Sequence, residues 1–421
     1  MRTLMLACLF LVSADAAAQT TAYVGARLFD GDRVIERATL VVRDGRVAAV
    51  GPAADVRVPE GAARVDVGGK TIVPGFINAH GHVGNTVGLR ADPAGYTRDN
   101  LIRQLRSYAQ YGVTTVYSLG DDGAAGFALR DEQGRGPLDR ARLFVAGPVI
   151  TGATADEARA MTDEVADRGP DLLKIRIDDN LGTSRKMPED AWRAVVARAR
   201  ERQLRVATHI FYLADAHAAL EAGSDFIAHS VRDVPVTPAF VAAMKARNAC
   251  YSPTLMREVS TFVYGETPAW NDDPFFVKGV DAAIRAELAS PARHEQVRKS
   301  GAWKLGQQYK AGLDVARRNL KALADAGVRI AFGTDTGPPG RFQGFFEHLE
   351  LELMVDAGLT PLQALRSATS VAAGCHGKIG ELGTLAPGAA ADFLVLGANP
   401  LADIRNTRSL EAVYIGGRKA F

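Results

Sequence analysis

Short runs in which apolar and polar residues alternate occupy both ends of the chain, and a different rhythm fills the middle. Ala22 to Val24, Ala38 to Val42 and Arg46 to Val50 read as strands, with Asp30-Gly31-Asp32 and Asp44-Gly45 as the hairpin turns between them. Pieces of the same kind return at Ala391 to Leu396 and Leu410 to Ile415, before Gly416-Gly417. These predict a small β-sandwich assembled from residues 19–70 and 381–421.

Between the two ends, apolar strands alternate with amphipathic helices. Strands are expected over 71–80, 113–119, 143–150, 172–178, 206–211, 226–229, 249–255 and 330–335. Helical stretches fall at 99–111, 188–203, 238–247 and 361–374. This alternation predicts an α/β domain over 71–380, a (β/α)8 TIM barrel rather than an open doubly wound sheet. The open sheet would place a Gly-rich phosphate loop after its first strand, and none is present. The seventh strand leads into a long excursion, 256–300, rich in aromatics such as Phe262, Tyr264, Trp270, Phe275 and Phe276. It either shapes a pocket at the barrel mouth or packs as extra helices outside.

Ligand-type residues gather where these strands end. His80 and His82 sit two apart on the first strand, so they face the same way and can grip one cation together. Lys174 is bracketed by apolar residues on strand four, and strands five, six and eight end at His209, His229 and Asp335. Four of the eight histidines fall at these ends, and all six residues would converge at a barrel mouth. Imidazoles and a carboxylate suit a divalent ion such as zinc. A lysine among them is out of place unless burial favours its neutral amine, which can capture carbon dioxide as a carbamate and bridge two metals. Taken singly, each has a structural explanation: a packed barrel histidine, a structural lysine, an Asp capping a helix. His217 and His294 read as surface residues, His348 as a helix-face residue and His376 as structural.

Composition changes this picture little. The 421 residues are 47% hydrophobic, with a net charge of +2 and no basic stripe, which argues against nucleic acid as a partner. Met1-Arg2-Thr3, the apolar run Leu4 to Val12 and Ala16-Ala17-Ala18 read as a signal peptide over 1–18. The mature chain is therefore expected in the periplasm or outside the cell, with no membrane association after cleavage. Cys250 and Cys375, the cysteines that remain, either pair or stay as buried thiols.

His80-Gly81-His82, Lys174, His209, His229 and Asp335, with Gly112 to Val116 on strand two, resemble the amidohydrolase superfamily with two metals and a carboxylated lysine. The tail from Gly380 to Leu396, then Asn399-Pro400-Leu401, is similar to that of imidazolonepropionase-like and Xaa-Pro dipeptidase-like members. The resemblance implies that His80, His82, Asp335 and N6-carboxylated Lys174 hold one divalent ion, zinc by expectation. Lys174, His209 and His229 would hold the other. It implies hydrolysis of an amide or peptide-like C–N bond, in a dipeptide or N-acyl amino acid, by a metal-bridging hydroxide with Asp335 as general base. Lys174 argues against the mononuclear imidazolonepropionase and cytosine deaminase activities. The loop Gly147 to Thr154 lacks a substrate-binding histidine that dipeptidase-like relatives often carry there. Arg176, on the face of Lys174, is a candidate for a substrate carboxylate, with a salt bridge to Asp178 or Asp122 as its alternative. Tyr212 is a candidate oxyanion donor. The expected partner is a small-molecule amide or peptide, with a homo-oligomer allowed. A lactonase or phosphotriesterase-like hydrolase on the same site is the alternative, and a catalytically silent scaffold ranks lower.

Overall fold

The computed structural model describes residues 20–421, so the signal segment read over 1–18 lies outside the described residues. Thr20–Phe29, Val34–Arg43 and Arg46–Pro52 form antiparallel hairpins. Their second turn has left-handed Asp44 and Gly45, at φ 52° and 76°, the backbone that a tight hairpin requires. The expected sandwich is instead one eight-stranded sheet. Its joint is Thr71–Pro74, which pairs with Thr20–Phe29 on one side and with Phe393–Leu396 on the other. The two chain ends thus meet edge to edge in a shared ladder. Backbone bonds from Val47 to Ala389 and from Gly388 to Val47 tie the far hairpin back to the C-terminal segment.

The strand expected over 71–80 therefore divides at Gly75, where a Cβ would come within 2.2 Å of Thr114 Oγ1. Its second half is β1 (Phe76–Gly81), which pairs in parallel with β2 (Val113–Ser118), and β2 with β3 (Arg142–Val145). A second parallel sheet runs in the order β4 (Leu173–Arg176), β5 (Val206–His209), β6 (Phe226–Ala228), β7 (Cys250–Ser252) and β8 (Arg329–Ile330). The ladders are two arcs, not the single closed ring expected from the alternation. The reason lies at the seams. Past Val145 the chain returns to pair only at Ile150 with Ile175, and β8 is cut to two residues by the bend that follows it. A few backbone bonds cross these seams: Ile150 N to Lys174 O at 2.8 Å and Asp171 N to Val145 O at 2.9 Å at one, and Ala79 N to Phe332 O at 2.8 Å, Asp335 N to His80 O at 2.7 Å and His82 N to Thr336 O at 2.7 Å among those at the other.

Both faces of these strands are buried, which is why they read as near-continuous apolar runs. Val116, Leu143 and Ile227 join one core cluster, whereas their neighbours Tyr117, Phe144 and Phe226 join another. Helices Glu189–Glu201 and Pro238–Ala246 lie within the expected spans, and Arg98–Gln110 is shifted by one residue from the expected 99–111. Helix Arg98–Gln110 buries Leu101, Leu105, Tyr108 and Ala109 at helical spacing, and Thr97 caps it. The 256–300 excursion does both things expected of it. Its first helix, Leu255–Phe262, sends Arg257 to a pocket, while Tyr264 and Phe276 pack with Phe345 and Phe346 in a separate aromatic cluster. Cys250 and Cys375 form a disulfide.

Candidate metal centre

All six candidate residues line one cavity of about 350 Å³ at the C-terminal ends of the strands. Lys174 keeps the parity of Leu172 and His209 that of Ala207, so the pleat aims both inward. His229 and Asp335 lie just past their strands in left-handed backbone, at φ 76° and 58°. This conformation is uncommon for residues with a side chain, and it turns both toward the cavity. Gly333 clears the way: a Cβ there would lie 2.8 Å from His80 Cβ and 2.4 Å from Ser252 Oγ.

The tightest group is His80, His82 and Asp335, whose ligand atoms all fall within 4.8 Å of one another. Asp335 Oδ1 is 2.8 Å from His82 Nε2 and 3.5 Å from His80 Nε2. Lys174 Nζ is 3.2 Å from His80 Nε2. The His229 ring stands 4.6 Å from that of His80 and 4.2 Å from that of His209. His209 is the one imidazole turned aside, with Nε2 3.0 Å from Asp178 Oδ2. Two rings are oriented through their other nitrogen: His82 Nδ1–H faces Gly120 O at 3.3 Å, and His229 Nδ1–H faces Thr254 Oγ1 at 2.7 Å.

Burial sets the protonation states. It drives His80 and His229 well below the usual histidine value and His209 down to about 3, so the imidazoles are neutral and their lone pairs free. Burial also lowers the Lys174 ammonium to about 8, which gives the amine a substantial neutral fraction in mildly alkaline solution. Asp335 goes the other way: burial pushes it up, but the Arg341 charge and the His82 hydrogen bond outweigh that and hold it well below the usual carboxylate range. A neutral imidazole pair, an ionised carboxylate and an uncharged amine are a donor set that fits a divalent cation.

Behind the ligands, Glu347 Oε1 accepts from Asn78, Thr334 and Thr336 at 2.7 to 2.8 Å, tying β1 to the bend that carries Asp335. Arg341 Nη1 lies 2.5 Å from Asp335 Oδ2, and Arg257 Nε 4.0 Å from it. These arginines escaped the sequence reading because each lies beyond its strand end, Arg257 in the first turn of the helix Leu255–Phe262 and Arg341 on the loop past Asp335. The signal was there in Arg257-Glu258, a charged pair inside an otherwise apolar start to a helix. Arg176 lines the cavity but donates to Asp178 Oδ1 at 2.8 Å, the salt bridge named as its alternative. Tyr212 stands off the cavity wall, its hydroxyl donating to Asp179 Oδ1 at 2.9 Å beside the Lys186 ammonium. It precedes the helix Leu213–Ala222, and that position carries its ring away from the mouth.

Of the remaining histidines, His294 departs from its expected surface position: it is buried, with Nε2–H donating to Leu288 O at 2.7 Å. His217 is half-buried near Glu221. His348 lies on helix Phe345–Asp356, held between Tyr111 O and Thr407 Oγ1, and His376 stacks on Tyr117 with ring centroids 3.5 Å apart.

A model of the amidohydrolase family matches residues 71–420. Ochratoxinase of Aspergillus niger is 26% identical over 469 residues, covering 97% of this chain and 88% of that protein. Imidazolonepropionase of Rubrobacter xylanophilus is 25% identical over 388 residues, 87% of this chain and 86% of its own. Among solved structures, a Xaa-Pro dipeptidase with methionine bound in its active site shares the fold. It has a TM-score of 0.74 at 21% identity and covers 95% of this chain and 99% of that one.

Proposed function

The chain belongs to the amidohydrolase family, and we propose that it is a metal-dependent hydrolase cleaving an amide or peptide-like C–N bond at the mouth of a (β/α)8 barrel formed by its two arcs. The observation that carries this reading is the convergence of His80, His82 and Asp335 within 4.8 Å, with the Lys174 amine 3.2 Å from His80. The names of two relatives, ochratoxinase and Xaa-Pro dipeptidase, support hydrolysis of this kind.

His80, His82 and Asp335 would hold one divalent ion, zinc by the chemistry of the donors, and His209 and His229 would hold a second, with carboxylated Lys174 as a further ligand. For His209 this requires release from Asp178. Such ions supply Lewis acidity toward water and toward the carbonyl of the substrate. The chain's own groups do the rest. Asp335 accepts a proton from the attacking water and returns it to the leaving nitrogen. Arg341, against the same carboxylate, keeps Asp335 ionised at the start of each cycle. Gly120 and Thr254 fix the tautomers of His82 and His229, so that Nε2 of each ring faces inward. Val83, Leu119, Val149 and the Pro338-Pro339 loop wall the cavity against bulk water.

The protein works in an oxidising compartment after export. The disulfide between Cys250 and Cys375 supports this, in keeping with the signal read at the start of the chain.

Two measurements test the reading together. Purified protein should carry about two divalent ions per chain, as a paired-metal site requires. Metal-replete protein should hydrolyse N-acyl amino acids or dipeptides in preference to lactones and phosphotriesters. Turnover of the esters with none of any amide would overturn it.

A further inference from the structure

Glu347 is a carboxyl with no cation to meet it. It lies fully buried in the first turn of helix Phe345–Asp356, and among the described residues no lysine or arginine comes within ion-pair reach of it. A carboxyl taken out of water without a partner charge is destabilising, and an apolar residue of similar size would avoid that penalty. Its donors show what the fold gains. Oε1 accepts from Asn78 Nδ2 at 2.7 Å, Thr334 Oγ1 at 2.8 Å and Thr336 Oγ1 at 2.7 Å. Oε2 is buried without a hydrogen-bond partner, so one oxygen does all of this holding. The three donors come from two segments. Asn78 lies on β1, two residues before His80, and its Oδ1 accepts from His80 N at 3.0 Å. Thr334 and Thr336 flank Asp335, whose left-handed backbone at φ 58° persists only where its surroundings fix it. Tyr108 adds a further tie, its hydroxyl 2.7 Å from Thr336 Oγ1. Among the described residues no hydrogen bond runs from Glu347 or its three donors to His209 or His229, which rest on Asp178 and Thr254 instead.

We propose that Glu347 is a positioning residue for one of the two ions: it locks His80 and Asp335 at a fixed spacing and so sets the affinity of the site they form with His82, leaving the site of His209 and His229 alone. The assignment rests on the two-ion reading above and divides the roles within it. His80 lies on β1 and Asp335 past β8, so the pair straddles a seam of the ladder that only a few backbone bonds cross. Glu347 reaches both sides of that seam from a helix behind it. Ligand distances at a metal tolerate only about 0.2 Å, so a small drift across the seam weakens this site first. His209 and His229 sit on neighbouring strands of one sheet and do not span the seam. An acceptor-only oxygen is the matching chemistry where three donors meet. A glutamine carbonyl can take the same place, with its NH2 directed where Oε2 now lies. If Glu347 merely anchored its helix, its loss would weaken both sites together with the fold.

The experiment measures zinc affinity rather than turnover, by titration of the full chain against a competing chelator. Each site is isolated first: His229→Ala leaves the site at His80, and His82→Ala leaves the other. In the His229→Ala protein, adding Glu347→Ala should weaken zinc binding by about 10- to 100-fold, the range for loss of a group that orients metal ligands. In the His82→Ala protein the same addition should leave the affinity unchanged. Glu347→Gln, whose carbonyl can accept from the same three donors, should keep the affinity of its parent in both. Thr336→Val removes one donor and keeps the shape, so it serves where Glu347→Ala does not fold; it should weaken the site at His80 and spare the other. Equal losses at both sites, or none at either, would overturn the assignment, as would a Glu347→Gln protein as weak as Glu347→Ala. Unmodified protein that takes up no divalent ion would end the two-ion reading itself. Normal uptake of two ions with equal losses in the variants would end only the role given to Glu347.

Discussion

The Thr254 hydroxyl accepts from His229 Nδ1–H, 2.7 Å from Oγ1 to Nδ1, and the helix that Thr254 precedes is left without a side-chain cap. Glu350 takes over that task from a distant helix, accepting from Leu255 N at 2.7 Å and Met256 N at 2.6 Å. The same turn thus orients a candidate ligand and fixes the helix bearing Arg257. Thr254→Val keeps the shape and removes the hydroxyl. We expect the variant to bind its metal about 10- to 100-fold more weakly, the usual loss when a ligand histidine loses its orienting partner. Titration against a competing chelator would measure this, and unchanged affinity would show that packing alone orients the ring.

Glu350 also makes stability depend on pH in a specific direction. Burial pushes its carboxyl from an ordinary 4.5 up to about 8, against the opposing pull of the two backbone donors. The folded chain therefore binds this proton more tightly than the unfolded chain. The stabilisation from that proton is complete below the ordinary value and is lost as pH rises through about 8. Glu350→Gln stays neutral throughout. Between about pH 5 and about pH 9, the melting temperature of the natural protein should fall relative to that of the variant. Calorimetry at several pH values would read the difference, and parallel curves would mean that Glu350 does not titrate in this window.

What the sequence disclosed, and what it hid, follows from how local each signal is. The hairpin turn at Asp44-Gly45 and the inward parity of Lys174 and His209 depend on a few adjacent residues, and the structure has them as read. The division at Gly75 was hidden because Thr71 to Ile77 is apolar on both sides of the break. Only the close approach of Thr114 shows that one run serves two sheets. The joining of the chain ends in one ladder is a pairing between strands more than three hundred residues apart, and periodicity cannot reveal it. Arg257 and Arg341 were missed for a related reason: a helix carries the first to the cavity and a loop the second, not the strand ends that pointed to the histidines. Tyr212 stands three residues past His209, just before the helix Leu213–Ala222, and its hydroxyl donates to Asp179, a contact that spacing from His209 could not reveal.

Asp335→Asn separates holding a cation from moving a proton. The amide oxygen can still accept and ligate, but the group no longer takes up a proton. Turnover should fall by about 10²- to 10⁴-fold, the usual contribution of a general base, while metal content is largely retained. Metal analysis alongside single-turnover kinetics would check both halves. Activity within a few per cent of the natural protein would remove Asp335 as the base.

The disulfide offers a test in which stability and catalysis should part. Cys250 opens β7, whose chain runs on through Ser252 to Thr254 at the site, so the bond lies at the opposite end of the strand from the ligands. It joins residues 125 apart, a loop long enough that closing it restricts the unfolded chain considerably. Native disulfides of this kind contribute about 2–5 kcal/mol, although how much of that is chain entropy depends on the model. The double variant Cys250→Ser, Cys375→Ser should unfold at lower denaturant while retaining its kcat under conditions where it is folded. Both cysteines are buried, so reductant alone should act slowly unless the protein is partly unfolded. A variant with unchanged stability would mean that the packing of Ala372, Ala373 and Ala331 around the bond already fixes that end of the domain.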